Sequence, residues 1–519
     1  MIFDRTFHPD EANQAFTVGK LLQSGAYTYN PADHHGPTLY YAAVPVQRMF
    51  GAKDTASLEE VPLRLVPVVF AILTIVFAAM AVRRLVGRRS SSTRTPWFAT
   101  TLRTLLALLP LATLPILFFY GTYFVQEALL GCFLAGMFWC GVEYVGSRER
   151  AGRVKPGTWA LGFGVFAGLA FATKETSVIA FAAAGLAALP FRRRLASLPK
   201  GAGSTGFASH AALAIIAGLI TSVVLFSSFG ANAHGVYAAF IDAPLSYLGR
   251  ARGSAASAGA ADHVHVWWWY LKILLGYPIY HCRALAALFI AGLVLCRRST
   301  PAVRYLALYA AISLALYSLV PYKTPWCMLA VVEAFALAAG LAPADAVESF
   351  ARDGRPLLKR LANGPLLTLC LLAFVLHAQC RQCRKINLYP DNPLVPFNYA
   401  NASWDVKNSS AFVLEQLAKA GPGAFAAVCL PPEDTWPLPW YLRRGNAGYW
   451  TSLDALPVSL DAHPAALVLL SDDPANDRVA LRFPELNGSA VYGIRPGVLS
   501  TVYYRDEGTA AEAHDAQKK

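Results

Sequence analysis

The chain has 519 residues, of which 55% are hydrophobic and 15% charged, with a mean hydropathy of +0.39. Soluble domains carry about 25% charged residues, so this composition excludes an ordinary soluble enzyme, a disordered chain and a fibrous one, and points to a polytopic membrane protein. The 45 Lys and Arg against 32 Asp and Glu give a net charge of +13, which in a membrane protein marks cytoplasmic loops and not a nucleic-acid partner.

Residues 1–61 are too polar to span a bilayer but hold two amphipathic patterns. Between Asp10 and Leu22 the residues Ala12, Ala15, Phe16 and Gly19 fall on one helical face that ends at Ser24-Gly25, and a second pattern runs from Thr38 to Phe50 after the breaker Gly36-Pro37. Both read as helices lying at the membrane interface. Asp10 and Glu11 follow Pro9 in the first turn, where acidic side chains favour the helix dipole, so a plain N-terminal cap also accounts for them. Met1 to Pro9 is polar and lacks the apolar core of a signal peptide.

Ten apolar spans follow, near 62–82, 104–125, 128–146, 158–173, 176–191, 209–229, 282–296, 303–320, 326–343 and 363–379. Five basic loops alternate with them: Arg83, Arg84, Arg88, Arg89 and Arg94; Arg148, Arg150, Arg153 and Lys155; Arg192, Arg193 and Arg194; Arg297, Arg298 and Arg304; and Arg352, Arg355, Lys359 and Arg360. The positive-inside rule makes all five cytoplasmic. The N-terminal segment, the loops near 126, 174, 230–281 and 321–325, and everything after 380 then face outward. An even number of spans puts the N-terminus outside, and a preceding helix lost through an incorrect start site is the expected explanation of how it is inserted.

The stretch 158–191 tests this map. As one helix of about 34 residues it would reach roughly 50 Å against a core of about 30 Å, and it would separate its two basic flanks into opposite compartments. Two short spans hinged at Lys174-Glu175 keep both flanks inside and leave the hinge recessed, where ionisable residues are costly and usually functional. A structural cap on a hairpin is the alternative.

Of the cysteines, Cys132, Cys140, Cys296 and Cys370 lie in apolar spans and read as packing, while Cys380 and Cys383 form an outward C-x-x-C with the spacing of a disulfide. In the loop 230–281, His263 and His265 share a strand face but have no further ligand nearby for a metal, and Trp267, Trp268 and Trp269 suit either an interfacial aromatic belt or a sugar-stacking platform. After residue 380 the chain turns polar and Pro-rich. An amphipathic stretch at 410–420, apolar runs at 425–430 and 466–470, and alternation through 491–504 predict an outward α/β domain, with a loose tail from Glu507 to Lys519. The organisation is thus an outer loop over 1–61, a transmembrane domain over 62–379 and an extracytoplasmic domain over 380–519.

Several of these outward residues carry a resemblance. His8-Pro9-Asp10-Glu11-Ala12, His35-Gly36-Pro37-Thr38-Leu39-Tyr40-Tyr41 and Arg64 resemble the first outer loop of GT-C glycosyltransferases that use polyprenyl-phosphate sugars, in particular family 39 protein mannosyltransferases and aminoarabinose transferases. Gln126-Glu127, Thr173-Lys174-Glu175 and Val320-Pro321-Tyr322-Lys323-Thr324-Pro325-Trp326 further resemble a prokaryotic subfamily named for its association with flippase activity. The resemblance implies a GT-C-like α-helical fold with a C-terminal α/β domain, in the plasma or inner membrane with its site extracytoplasmic. It implies transfer of a sugar from a lipid-linked donor to a glycan, lipid or protein acceptor, with no nucleic acid involved. The alternative is a non-catalytic transporter or a flippase-associated protein for lipid-linked glycans.

Such a transfer needs a base for the acceptor hydroxyl and cations for the departing phosphate. By resemblance Asp10 is the base, with Glu11 and Glu127 positioning it, the acceptor or a divalent ion. Arg64, Lys174, Lys323 and His35 are candidates for the phosphate, with Glu175 and Trp326 also placed at the substrate. Arg64 equally suits an interfacial snorkelling role. No cofactor is implied beyond the donor, and metal dependence is expected to be weak or nil. The geometric expectation is that Arg64, Lys174 and Lys323 line one cavity with Asp10 and Glu127, open sideways to lipid and upward to the C-terminal domain.

Overall fold

His8 starts the first helix because its imidazole Nδ1 accepts the Asp10 N–H at 3.1 Å, Pro9 needs no donor at the first helical position, and the Glu11 carboxylate accepts the His8 N–H at 3.0 Å. This helix α1 (Pro9–Ser24) ends at Gly25, whose φ of 72° closes the C-cap, and α2 (Thr38–Met49) follows. The structure, a computed structural model, describes residues 5–31, 35–89, 97–149, 154–198, 206–251, 263–276, 283–288, 290, 300–352, 365–388, 397, 401–457 and 463–506.

The apolar runs form α3 (Glu60–Arg89), α4 (Trp97–Ala112), α5 (Pro115–Tyr120), α6 (Glu127–Glu149), α7 (Pro156–Phe171), α8 (Ser177–Ala188), α9 (Phe207–Phe226), α10 (Pro301–Leu319), α11 (Leu329–Arg352) and α12 (Pro365–Leu388). Four of these elements hold stretches long and apolar enough to cross a membrane, at Glu60–Gly87, Glu127–Glu149, Phe207–Phe226 and Pro301–Leu319. Their lipid-facing sides show in exposed Val69, Ile72, Val76 and Met80 on α3 and in Ile215, Ile216, Leu219 and Ile220 on α9. The chain is therefore an α-helical membrane protein.

Two runs differ from the expected spans. The run 104–125 is not one helix: Leu114 takes the extended conformation forced on a residue before proline, Pro115 opens the six-residue α5, and 121–126 forms turns. The C-x-x-C is not a disulfide: Cys380 and Cys383 lie one turn apart on α12 as free thiols, and Cys383 Sγ donates to the Thr113 carbonyl at 3.5 Å. Cys370 is exposed and not packed inside. The hinge at 172–176 separates α7 from α8. The run 282–296 is described only at 283–288 and 290; the tail 507–519 and basic residues Arg94, Arg150, Arg153, Arg297, Arg298, Arg355, Lys359 and Arg360 lie outside the described residues.

Without a hydrophobic drive between helices in lipid, close approach needs small residues. On α7, Gly164 and Gly168 supply it: a Cβ there would fall 2.1 Å from the Ala214 carbonyl oxygen and 2.4 Å from that of Gly218 on α9. Charged pairs tie the arginine-rich ends, with Arg84 Nε 3.2 Å from Glu143 and Arg194 3.8 Å from Glu149. Helix polarity leaves Glu60, Glu127 and the 172–176 hinge at the opposite end.

That end carries the C-terminal domain. Its strands β1 (Ala426–Cys429), β2 (Ala447–Trp450), β3 (Ala466–Leu470), β4 (Gly488–Arg495) and β5 (Val498–Tyr504) form one sheet in the order β2-β1-β3-β5-β4. β1 runs parallel to β2 and β3, and β5 runs antiparallel to β3 and β4. Helix α13 (Asp405–Ala420) packs Val406 and Val413 against Val428, Val468 and Val502, while Leu467 and Leu469 face Val479 and Phe483 on the other side.

The domain docks through one aromatic anchor. Trp440 is fully buried, stacks on Phe7 at 4.9 Å and donates its indole N–H to Glu60 at 3.2 Å, while Tyr441 accepts the Phe7 N–H at 2.8 Å. Arg443 reaches the Leu58 carbonyl at 2.7 Å and Arg444 reaches Glu59 at 2.8 Å. Replacing Trp440 by Ala is expected to cost about 3–5 kcal/mol, read as a lowered thermal midpoint of the detergent-purified protein; an unchanged midpoint would show that this anchor does not hold the domain.

Candidate active site

The segment between Phe7 and Trp440 and the start of α6 brings the sequence-derived residues to one end of the helices, with each in a different environment. Glu11, pointing inward, is fully buried and accepts from Arg5 Nη2 at 2.9 Å, Arg64 Nε at 3.3 Å and the Phe124 N–H at 2.8 Å. Arg64 is itself fully buried, donates to the Arg5 carbonyl at 3.0 Å and lies 4.6 Å over the Phe7 ring, while Arg5 lies 3.4 Å over Tyr123. Burial alone pushes Glu11 up, but the charges of Arg5 and Arg64 outweigh it and hold the carboxyl well below its ordinary range. Arg64 thus faces Glu11 and, at 3.6 Å, Glu60.

Asp10, the next residue back, turns the other way: its side chain is 45% exposed against 0% for Glu11. Its own helix is fixed one turn on, where the Gln14 side-chain carbonyl accepts from Gln126 Nε2 at 3.1 Å and from the Tyr40 hydroxyl. Gln126 precedes Glu127, and Glu127 is paired with Lys174, both almost completely buried. Thr38 and Thr173 share a hydrogen bond of 2.7 Å that ties α2 to the same hinge.

Glu127, Lys174, Tyr317, Trp326 and Cys327 line one small cavity of about 10 Å³. Trp326 meets the His8 ring edge-on at 5.7 Å and so connects this cavity to the start of α1. Asp10, Arg64 and Lys323 do not line this cavity. Lys323 is buried, donating to the carbonyls of Val320 and, at 3.2 Å, His265; burial lowers its pKa. A bridge between Val264 and Tyr322 holds that loop, and the His265 ring stacks on Trp269 at 4.2 Å. Among the described residues no three His, Cys, Asp or Glu side chains converge on a metal position.

His35 and Glu175 form a separate pair, with Nδ1 2.9 Å from Oε2, and the Tyr29 hydroxyl donates to the other oxygen. Burial pushes Glu175 up, and the His35 charge with these hydrogen bonds brings it down to about 2. Sequence reasoning missed Arg5, Gln14 and Tyr29. A lone Arg in a polar segment, a Gln inside an amphipathic pattern and a Tyr between turns carry no spacing signal; only their partners far along the chain identify them.

The whole architecture is shared with solved proteins. The structure of ArnT from Cupriavidus metallidurans bound to undecaprenyl phosphate matches with a TM-score of 0.60 at 16% identity, over 96% of this chain and 95% of that one; the apo form matches at 0.59 and 17%, over 96% and 94%. The archaeal oligosaccharyltransferase AglB from Archaeoglobus fulgidus, in complex with an inhibitory peptide and a dolichol-phosphate, matches at 0.51 and 12%, over 85% of this chain and 60% of that one. No family model and no curated protein matches the sequence. The chain has the GT-C fold.

Two stability outcomes separate the neighbouring carboxylates. Glu11→Gln removes the carboxylate that Arg5 and Arg64 share, leaving Glu60 at 3.6 Å to Arg64, and is expected to cost about 3–5 kcal/mol, whereas Asp10→Asn at a half-exposed side chain should stay within about 0.5 kcal/mol; thermal melts of the two variants check this. Because Glu175 falls from an ordinary 4.5 to about 2 on folding, the unfolded chain binds more protons there. Its contribution is complete above pH 4.5 and is lost as the pH falls toward 2, so the melting temperature should drop across that window, less steeply in Glu175→Gln.

Proposed function

We propose that the protein is a membrane glycosyltransferase that moves a sugar from a polyprenyl-phosphate donor to an acceptor on the side of the membrane that holds the C-terminal domain. The observation that carries this reading is the partition of the Asp10-Glu11 pair within a GT-C fold: one carboxylate is locked by two arginines, and its neighbour is left solvent-facing on a rigid helix start. Similarity to ArnT, solved with undecaprenyl phosphate, over nearly the whole of both chains supports the lipid carrier.

In this mechanism Asp10 takes the proton from an acceptor hydroxyl, the oxygen forms a bond to the anomeric carbon, and the bond from that carbon to the carrier phosphate breaks with inversion. A general base of this kind contributes about 10²–10⁴-fold. The leaving phosphate is already a weak base and needs cations more than a proton; Lys174 and Lys323 supply them, with Glu127 holding Lys174 and Trp326 closing the side toward His8. Arg64 acts indirectly, by fixing Glu11 and hence the turn that aims Asp10. His35 and Glu175 brace the hinge that carries Lys174.

Transfer of radiolabelled sugar from synthetic polyprenyl-phosphate donors tests the reading. Asp10→Asn is expected to lower kcat by at least about 100-fold with the thermal midpoint retained, and Lys174→Met to weaken donor use more than acceptor use. Equal turnover in wild type and Asp10→Asn would remove Asp10 as the base. Donor translocation by liposomes that contain the protein and no acceptor would favour a flippase partner instead.

A further inference from the structure

A second, larger cavity lies nearer the arginine-rich ends, between α3, α6, α8, α10 and α11. It has a volume of about 550 Å³, within the range of about 300–1,000 Å³ typical of small-ligand pockets. Leu134, Ala180, Tyr309 and Ala330 line both this cavity and the small one at Glu127, so they form the wall between the two. Phe138 and Tyr305, parallel at 6.3 Å, form much of its apolar surface.

Of the three charged side chains that line it, Glu149 and Arg194 pair with each other at 3.8 Å and are partly exposed, whereas the third is buried. Glu333 on α11 lines the cavity, is 7% exposed, and its Oε1 has no hydrogen-bond partner. Gly131 on α6 makes the room: a Cβ there would lie 2.6 Å from Glu333 Oε2. An ionisable residue at membrane depth with an oxygen that no protein group meets is expensive, and such residues mark binding or transport functions.

In the buried part of the cavity the polar group is the Glu333 carboxyl in an apolar slot, and this restricts the head of the occupant. An ammonium head would bring a second charge out of water, and a buried ion pair only about breaks even against apolar packing. A hydroxyl carries no charge and both donates and accepts, which matches a carboxyl group. We infer that this cavity binds a single-chain, hydroxyl-headed lipid, a long-chain alcohol, with its head on Glu333 and its chain along Phe138 and Tyr305. The site is separate from Asp10 and Lys174, and its occupancy does not depend on the transfer reaction.

Equilibrium binding of tritiated 1-hexadecanol to the purified protein in nanodiscs tests this, with n-hexadecane and hexadecylammonium as competitors. Wild type should bind saturably, Glu333→Leu at least about tenfold more weakly, and Glu333→Gln, whose amide also donates and accepts, within about threefold. Ala184→Phe, which fills the cavity and leaves the carboxyl in place, should abolish binding and so covers the case in which Glu333→Leu fails to fold. Unchanged binding in Glu333→Leu or Ala184→Phe would overturn the inference, as would displacement by hexadecane at the same concentration as by unlabelled alcohol. Tighter binding of hexadecylammonium than of the alcohol would assign the site to cations and overturn it as well.

Discussion

Two guanidinium groups cannot lie side by side in a dry interior unless a carboxylate stands between them, because the repulsion and the lost hydration act together. Arg5 and Arg64 are in that position, with Glu11 between them and Glu60 adding a second carboxylate to Arg64 at 3.6 Å. Arg64 belongs to α3, Glu11 to α1, and the Phe124 amide that also donates to Glu11 belongs to the turn that leads into α6. Arg5 extends the same cluster to the Thr122 carbonyl at 2.8 Å. One ion cluster therefore fixes the relative positions of a membrane helix, the outer helix and the loop that ends in Glu127, and Trp440 closes it from above by stacking on Phe7.

The division of labour between Asp10 and Glu11 follows from helix geometry. Consecutive residues on an α-helix diverge by about 100°, so when Glu11 is drawn inward by two arginines its neighbour must point away. The His8 imidazole strengthens the arrangement: it accepts the Asp10 N–H and its backbone donates to Glu11, which sets the start of the helix and the direction of both side chains at once. On the transfer reading a reactive carboxylate needs to be both open to protons and fixed in place, and the fixing is done by the adjacent Glu11.

The helical membrane architecture was largely legible in the sequence because lipid imposes a long apolar pattern: most of the apolar runs reappear as helices, Arg84 and Arg194 at paired ends and the break at Lys174-Glu175 as a hinge, whereas the run 104–125 breaks at Pro115. In the domain, β1 and β3 were legible as short apolar runs in a polar region and β4 with β5 as an alternating stretch, whereas the short β2 carried no such pattern. Partnership was not. Arg64 read as a phosphate ligand or a snorkelling cation because sequence shows charge and depth but not direction, and its direction is set by Glu11, fifty-three residues away. The C-x-x-C failed in a similar way: the spacing suits a disulfide in a loop, but on the continuous α12 the two thiols are held one turn apart.

Lys174 and Glu127 illustrate how such a site exists before its ligand arrives. Each charge offsets the lost hydration of the other beside a cavity too small for much water. On the transfer reading, an arriving phosphate substitutes for Glu127 at the lysine, so the cation is neither created nor desolvated in the binding step. The cost is competition, since the phosphate must displace a carboxylate already in contact, and this competition favours a doubly or singly charged phosphate over neutral lipids that could otherwise fill the same groove. Lys323, held by the carbonyls of Val320 and His265 with no carboxylate among these partners, lacks that competitor and is the readier of the two cations to meet the phosphate first.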